Sequence, residues 1–137
     1  LIRLLDLGVS PLLLSSGLNL IITQRLIRKL CNRCKVTAQL TPLQIHNFRK
    51  KKINYANIKQ AVGCEYCNGT GYYERTGIYD FLVVDNKLKA SIAQNKLSLE
   101  ELRKDGDKRG RSNLQKQALL KVVSGVTSID EMIRVLG

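Results

Sequence analysis

The 137-residue chain has no tryptophan, one histidine, one methionine and two prolines, and only 5% of it is aromatic. Its core must therefore come from Leu, Ile and Val. His46 is the only histidine. It falls in a basic helical segment beside Ile45 and reads as a surface or half-buried residue. With one imidazole and no matching nucleophile, no acid–base constellation is visible. Long apolar runs are absent too. The longest stretches are Leu12-Leu13-Leu14 and residues 18–22, which include Asn19. Neither approaches the ~20 apolar residues that span a bilayer, and there is no signal-peptide pattern. No G-x-x-x-x-G-K-[ST] phosphate loop occurs. Residues 106–110, Gly-Asp-Lys-Arg-Gly, have glycines and cations without that spacing, and read as a solvated loop. The chain opens on Leu1 in mid-pattern, without a capping residue, and its sole methionine is Met132. It reads as a piece from the C-terminal side of a longer protein.

Acid is scarce in the first half. Residues 1–63 hold eleven Lys and Arg against Asp6 alone, whereas residues 64–137 hold twelve against ten. The whole chain carries +12. Such a surface favours an acidic partner, whether nucleic acid, anionic lipid or an acidic protein face.

Four cysteines, Cys31, Cys34, Cys64 and Cys67, fall as C-x2-C and C-x2-C with 29 residues between the pairs. Two intervening residues let both sulfurs of a pair reach one ion from a tight turn, and two such turns complete the tetrahedron that Zn²⁺ prefers. A closed four-thiolate site leaves no position for water or substrate, so the zinc would be structural. Asn68-Gly69-Thr70-Gly71 follows the second pair. Glycines there let backbone N–H groups turn towards the sulfurs. Two disulfides, four unrelated thiols and an iron–sulfur cluster are the other readings of the same residues. Disulfides fit poorly because nothing marks the chain as secreted.

The expected fold class is α+β: mainly helical, with a short antiparallel strand pair and an inserted four-cysteine zinc subdomain. Ser10-Pro11 predicts a helix start, with helix fading near Thr23. Residues 24–30 suit either more helix or a strand. Thr41-Pro42 caps a helix running into Arg49, Lys50, Lys51 and Lys52, whose charges suit the negative end of the helix dipole. These four form a candidate partner contact, weighed against a plain solvated helix end. Residues 53–62 predict irregular or briefly extended chain. Residues 77–84 are rich in strand formers. Asp85 caps a further helix, and Ser98-x-x-Glu101 and Ser128-x-x-Glu131 match the capping box. Leu114, Ala118, Leu119 and Val122 share one helical face, with Gly125 as its stop. Residues 24–30 and 78–83 flank the cysteine region and are expected to pair as antiparallel strands.

Several stretches resemble the C-terminal part of the hexameric ATPases of type II secretion and type IV pilus assembly. They are residues 24–34 (Q-R-L-I-R-K-L-C-x-x-C), Gly63-Cys64-x-x-Cys67-x-x-Thr70-Gly71-Tyr72 and Arg75-Thr76-Gly77-Ile78-Tyr79-Asp80. Asp6-Leu7-Gly8-Val9-x-Pro11 and the tail from Gly125 to Val135 match as well. Together they span nearly the whole chain in order. The resemblance implies that residues 1–30 end a RecA-like ATPase core. Residues 31–75 would be the zinc subdomain held by the four cysteines, and 76–137 a core strand followed by a helical subdomain. It implies that the phosphate loop, Walker B motif, ATP and Mg²⁺ belong upstream of Leu1, so this stretch is not itself catalytic. It further implies a homohexamer on the cytoplasmic face of the inner membrane, working with platform and adaptor proteins. The basic run Arg49, Lys50, Lys51, Lys52 lies in a stretch that varies within the family.

Two other classes compete. A stand-alone basic zinc domain binding nucleic acid fits the charge of the first half. Such modules usually interleave aromatics for base stacking, and Arg49–Lys52 has only Phe48 beside it. A chaperone-type zinc module fits C-x-x-C-x-G-x-G at residues 64–71, yet that module repeats the motif and here it occurs once.

Overall fold

In the computed structural model, the described residues are 2–94, 96 and 114–137. The sequence-predicted capping box at Ser98 and Glu101, and the loop 106–110, lie outside them. Among the described residues, six α-helices, α1 (Ile2–Asp6), α2 (Pro11–Gly17), α3 (Pro42–Lys50), α4 (Asn86–Ala93), α5 (Leu114–Val123) and α6 (Ile129–Leu136), accompany four strands. The strands are β1 (Leu20–Leu30), β2 (Val36–Thr37), β3 (Lys59–Gln60) and β4 (Tyr72–Val83). The class is α+β, as expected.

β1 pairs with β4. The Cys31 N–H donates to Gly71 O at 2.9 Å at one end, and the Val84 N–H donates to Asn19 O at 2.9 Å at the other, so the strands run antiparallel. Residues 24–30 and 78–83 do fall in these two paired strands, but the end bonds set 24–30 opposite about 72–79, so the register is shifted from the expected one and both strands are longer. The helix from Pro11 does not reach Thr23. It stops at Gly17, and the β-branched Ile21-Ile22-Thr23 run favours the extended chain that follows. Pro11 sits in the first turn as predicted, but the Ser10 hydroxyl makes no capping bond. β4 begins at Tyr72, inside the stretch assigned to the cysteine region. A second, two-residue antiparallel pair, β2 with β3, was not anticipated.

The chain divides into two compact units. One comprises Leu1–Thr23 with Asp80–Ser112, the other Gln24–Tyr79 with Asn113–Gly137. The first is organised around Leu14, Val84, Leu88 and Ile92, with Leu18 and Ile21 against them. There the Asp85 side chain accepts from the Leu88 N–H at 2.9 Å, capping α4 as predicted. The second unit is organised around Ile27, Ile78 and Ala118, each with no exposed surface. Burying one large aliphatic side chain of this kind contributes roughly 1.5–3 kcal/mol.

The second unit contains both the cysteines and the last two helices. α5 ends at Gly125 (φ 69°), whose N–H donates to Val122 O while the Val126 N–H reaches back to Lys121 O at 2.9 Å, the Schellman arrangement. A Cβ at Gly125 would lie 3.0 Å from Asn57 O, so the turn is pressed against the chain leading into β3. The Leu30 N–H donates to Val126 O at 2.8 Å, fixing the same turn to the end of β1.

Candidate metal centre

Each cysteine pair is positioned by a tight turn. After β1, the Cys34 and Lys35 N–H groups both fold back on Cys31 O, which curls the first pair round one point. The second pair sits on a single 3₁₀ turn, Glu65–Cys67, closed by Asn68 in the left-handed region. The two turns bring all four Sγ atoms within 4.8 Å of one another. Cys31–Cys64 and Cys34–Cys67 are 3.9 Å apart, and Cys64–Cys67 is 3.7 Å. A disulfide needs about 2.05 Å, and the four thiols are free. A tetrahedron of sulfurs about 2.3 Å from a central ion has edges of about 3.8 Å. The donors therefore have the spacing of a tetrathiolate metal site and could hold one ion.

Backbone N–H groups support the charge such a site carries. Cys64 and Gly71 each donate to Cys67 Sγ at 3.2 Å. Gly69 takes a different part from the one its position suggested, donating to Cys64 O at 2.9 Å. Gly71 has φ 74°, and a Cβ there would fall 2.6 Å from the Ala61 side chain, so only glycine fits. Burial pushes the Cys67 thiol up, but the Cys64 and Gly71 N–H groups and the neighbouring thiols outweigh it and bring it down to about 6. Cys34 moves the other way, to about 11, through burial and the three neighbouring thiols, against one lowering bond from Gly63.

The knuckles are bound to the rest of their unit. Lys35 Nζ donates to Gly125 O at 3.1 Å, and Asn57 Nδ2 to Ser124 O at 3.3 Å. Arg33 lies 3.9 Å over the Tyr66 ring, which packs against Tyr73 at 4.6 Å. α3 stands between the pairs in sequence, with the full capping box of Thr41 and Gln44. Arg49, Lys50, Lys51 and Lys52 at its end are exposed, as is His46. Lys52 adopts φ 53° as the helix unwinds.

One arrangement was not legible beforehand. Glu131, read as the second half of a capping box, does not return to the Ser128 backbone. Ser128 Oγ does accept from the Glu131 N–H at 3.1 Å, but the carboxylate turns to two arginines. It accepts from the Arg28 N–H, Nε and Nη2 at 2.7–2.8 Å and from Arg134 Nε and Nη2 at 2.7 Å. It is fully buried. Burial raises its pKa, yet these bonds override that and hold it down to about 2. Arg28 also lies 4.1 Å over the Tyr72 ring, whose hydroxyl meets Ser128 Oγ at 2.6 Å.

The paired strands, the four clustered cysteines that could hold an ion and the two following helices make a candidate metal module. Comparison with known proteins gives the family. Residues 1–134 match the model of the type II/IV secretion system protein family, and the chain belongs to that family. It is 40% identical, over 97% of its length, to an Escherichia coli (strain K12) protein described as a type II secretion system protein E. It is 33% identical over 96% to the type IV pilus assembly ATPase PilB of Thermus thermophilus, and 34% over 97% to the type II secretion system protein E of Aeromonas hydrophila. The chain spans 27%, 15% and 26% of those relatives' lengths. Among the described residues no helix is long and apolar enough to cross a membrane.

Proposed function

We propose that this chain is the metal-holding coupling module of a secretion or pilus-assembly ATPase, with one structural Zn²⁺ on Cys31, Cys34, Cys64 and Cys67. The observation that carries this reading is four sulfurs at tetrahedral spacing in a chain of the type II/IV secretion system protein family. Zinc is favoured over other ions because four thiolates at closed tetrahedral spacing suit a metal with no redox role. The ion would clamp the chain where β1 ends and just before β4 begins, making the cysteine region rigid.

In this reading the parent protein is a homohexameric ATPase whose ATP and Mg²⁺ sites lie outside this chain. It works on the cytoplasmic face of the inner membrane with platform and adaptor proteins. The module carries motion of the core to those partners. The exposed Arg49, Lys50, Lys51 and Lys52 would press on an acidic protein face or anionic lipid, where each cation contributes roughly 1 kcal/mol at low salt. Binding of nucleic acid is the competing reading, and family membership weighs against it.

Two expectations follow from this division of labour. The chain alone should show no ATP turnover and no micromolar ATP affinity by titration calorimetry, and either one would contradict the placement of catalysis elsewhere. In the parent protein, replacing Arg49, Lys50, Lys51 and Lys52 by Ala should leave ATP hydrolysis within about twofold while export or pilus formation falls at least tenfold. Undiminished export would remove the contact role from the basic run.

A further inference from the structure

Arg28 on β1, Arg75 on β4 and Arg134 on α6 line one open cavity of about 410 Å³ whose remaining wall is Leu26. Three cations from three separate elements converge there, and the buried Glu131 is the counter-charge that pairs with two of them. Glu131 does more than neutralise. Its two oxygens grip the Nε edges of Arg28 and Arg134, and the Tyr72 ring supports the Arg28 guanidinium from one face. Both forks are thereby held in place, and their remaining N–H groups are free of these bonds. Arg75 has no hydrogen-bond or ion-pair partner among the described residues and is exposed. It follows Glu74, whose φ of 66° interrupts the regular pleat of β4. Non-glycine residues rarely adopt that region.

We infer that this cavity is a binding site for a phosphate-type dianion, with Arg28, Arg75 and Arg134 as its donors and Glu131 as the residue that positions two of them. Three arginines less Glu131 leave a local charge of +2, because Glu74 beside Arg75 is balanced by Lys29 at 2.7 Å, and that charge matches a doubly charged ligand. A carboxylate is satisfied by one planar fork, whereas a tetrahedral oxyanion offers oxygens in several directions and suits guanidinium groups arriving from three elements. The phosphate could be free in solution or the headgroup of a phospholipid. The site uses none of the cysteines, so it stands independently of the metal.

The test titrates inorganic phosphate into the chain at constant ionic strength, and in a second arm sediments the chain with vesicles of phosphatidylcholine containing phosphatidic acid. Arg75→Gln should weaken binding at least tenfold with its thermal midpoint unchanged, because the Arg75 side chain makes no bond among the described residues. Lys116→Gln, which removes equal charge from an exposed position on α5, should stay within twofold. Loss of phosphate binding in Arg75→Gln assigns a soluble ligand. A loss seen only with vesicles assigns a lipid headgroup. No binding by the parent chain in either arm, or equal weakening by the two variants, overturns the site.

Discussion

Cys67→Ser is expected to abolish stable metal binding and to unfold residues 31–71 before the rest of the chain. Cys67 is the sulfur on which the Cys64 and Gly71 N–H groups converge, so its replacement removes a ligand and disturbs two supporting N–H bonds at once. Structural zinc contributes roughly 10 kcal/mol or more of apparent binding free energy in small modules, and that binding is coupled to folding. Few apolar side chains replace it here. Between the two cysteine pairs only Ile58 is fully buried, and α3 has no buried residue. Amide hydrogen exchange should show protection in residues 31–71 falling at least a hundredfold. The Leu14–Leu88–Ile92 cluster, in the other compact unit, should keep its protection. Unchanged exchange across the cysteine region would mean that packing, and not the ion, holds it.

Glu131→Gln should be the most destabilising single change away from the cysteines, by about 3 kcal/mol, the range for breaking a buried hydrogen-bonded charge pair. The carboxylate joins the end of β1 to α6 across 103 residues of sequence, and an amide cannot satisfy five N–H donors. The same substitution should remove a component of acid sensitivity. Glu131 has a folded pKa of about 2 against an ordinary 4.5, so the folded state binds fewer protons in that interval. Its contribution is complete above about pH 5 and disappears as pH falls towards 2. Denaturant unfolding of the two proteins from pH 7 to pH 3 should therefore show their stabilities converging. The difference between the curves is the readout, since acid also protonates the cysteine cluster in both. A difference that does not narrow would place the stabilising role of Glu131 elsewhere.

Features coded by neighbours in sequence were legible. The C-x2-C pairs, the caps at Thr41, Asp85 and Ser128, and the stop at Gly125 each depend on residues within about five positions, and each stands where its local chemistry put it. Gln24–Leu30 was ambiguous because a Leu- and Ile-rich run shows no clean period, and only pairing with β4 makes it a strand. The helix after Pro11 is shorter than its apolar run suggests for a similar reason. Leu18, Leu20, Ile21 and Ile22 continue the apolar run, although the chain changes conformation after Gly17. What local reading missed is what joins distant segments. Lys35 meets Gly125 across 90 residues, Tyr72 meets Ser128 across 56, and Arg28 meets Glu131 across 103. A glutamate three places after a serine invites the capping-box reading, and nothing nearby in sequence announces two arginines competing for it.

A metal held by Cys31, Cys34, Cys64 and Cys67 is the centre of the proposed module, and its most direct test is the elemental composition of the purified chain, measured together with its absorbance spectrum. The expected result is about one zinc per chain, no visible absorbance, and loss of the zinc in Cys67→Ser. A chain free of metal, or one with iron and the visible absorbance of an iron–sulfur cluster, would contradict it.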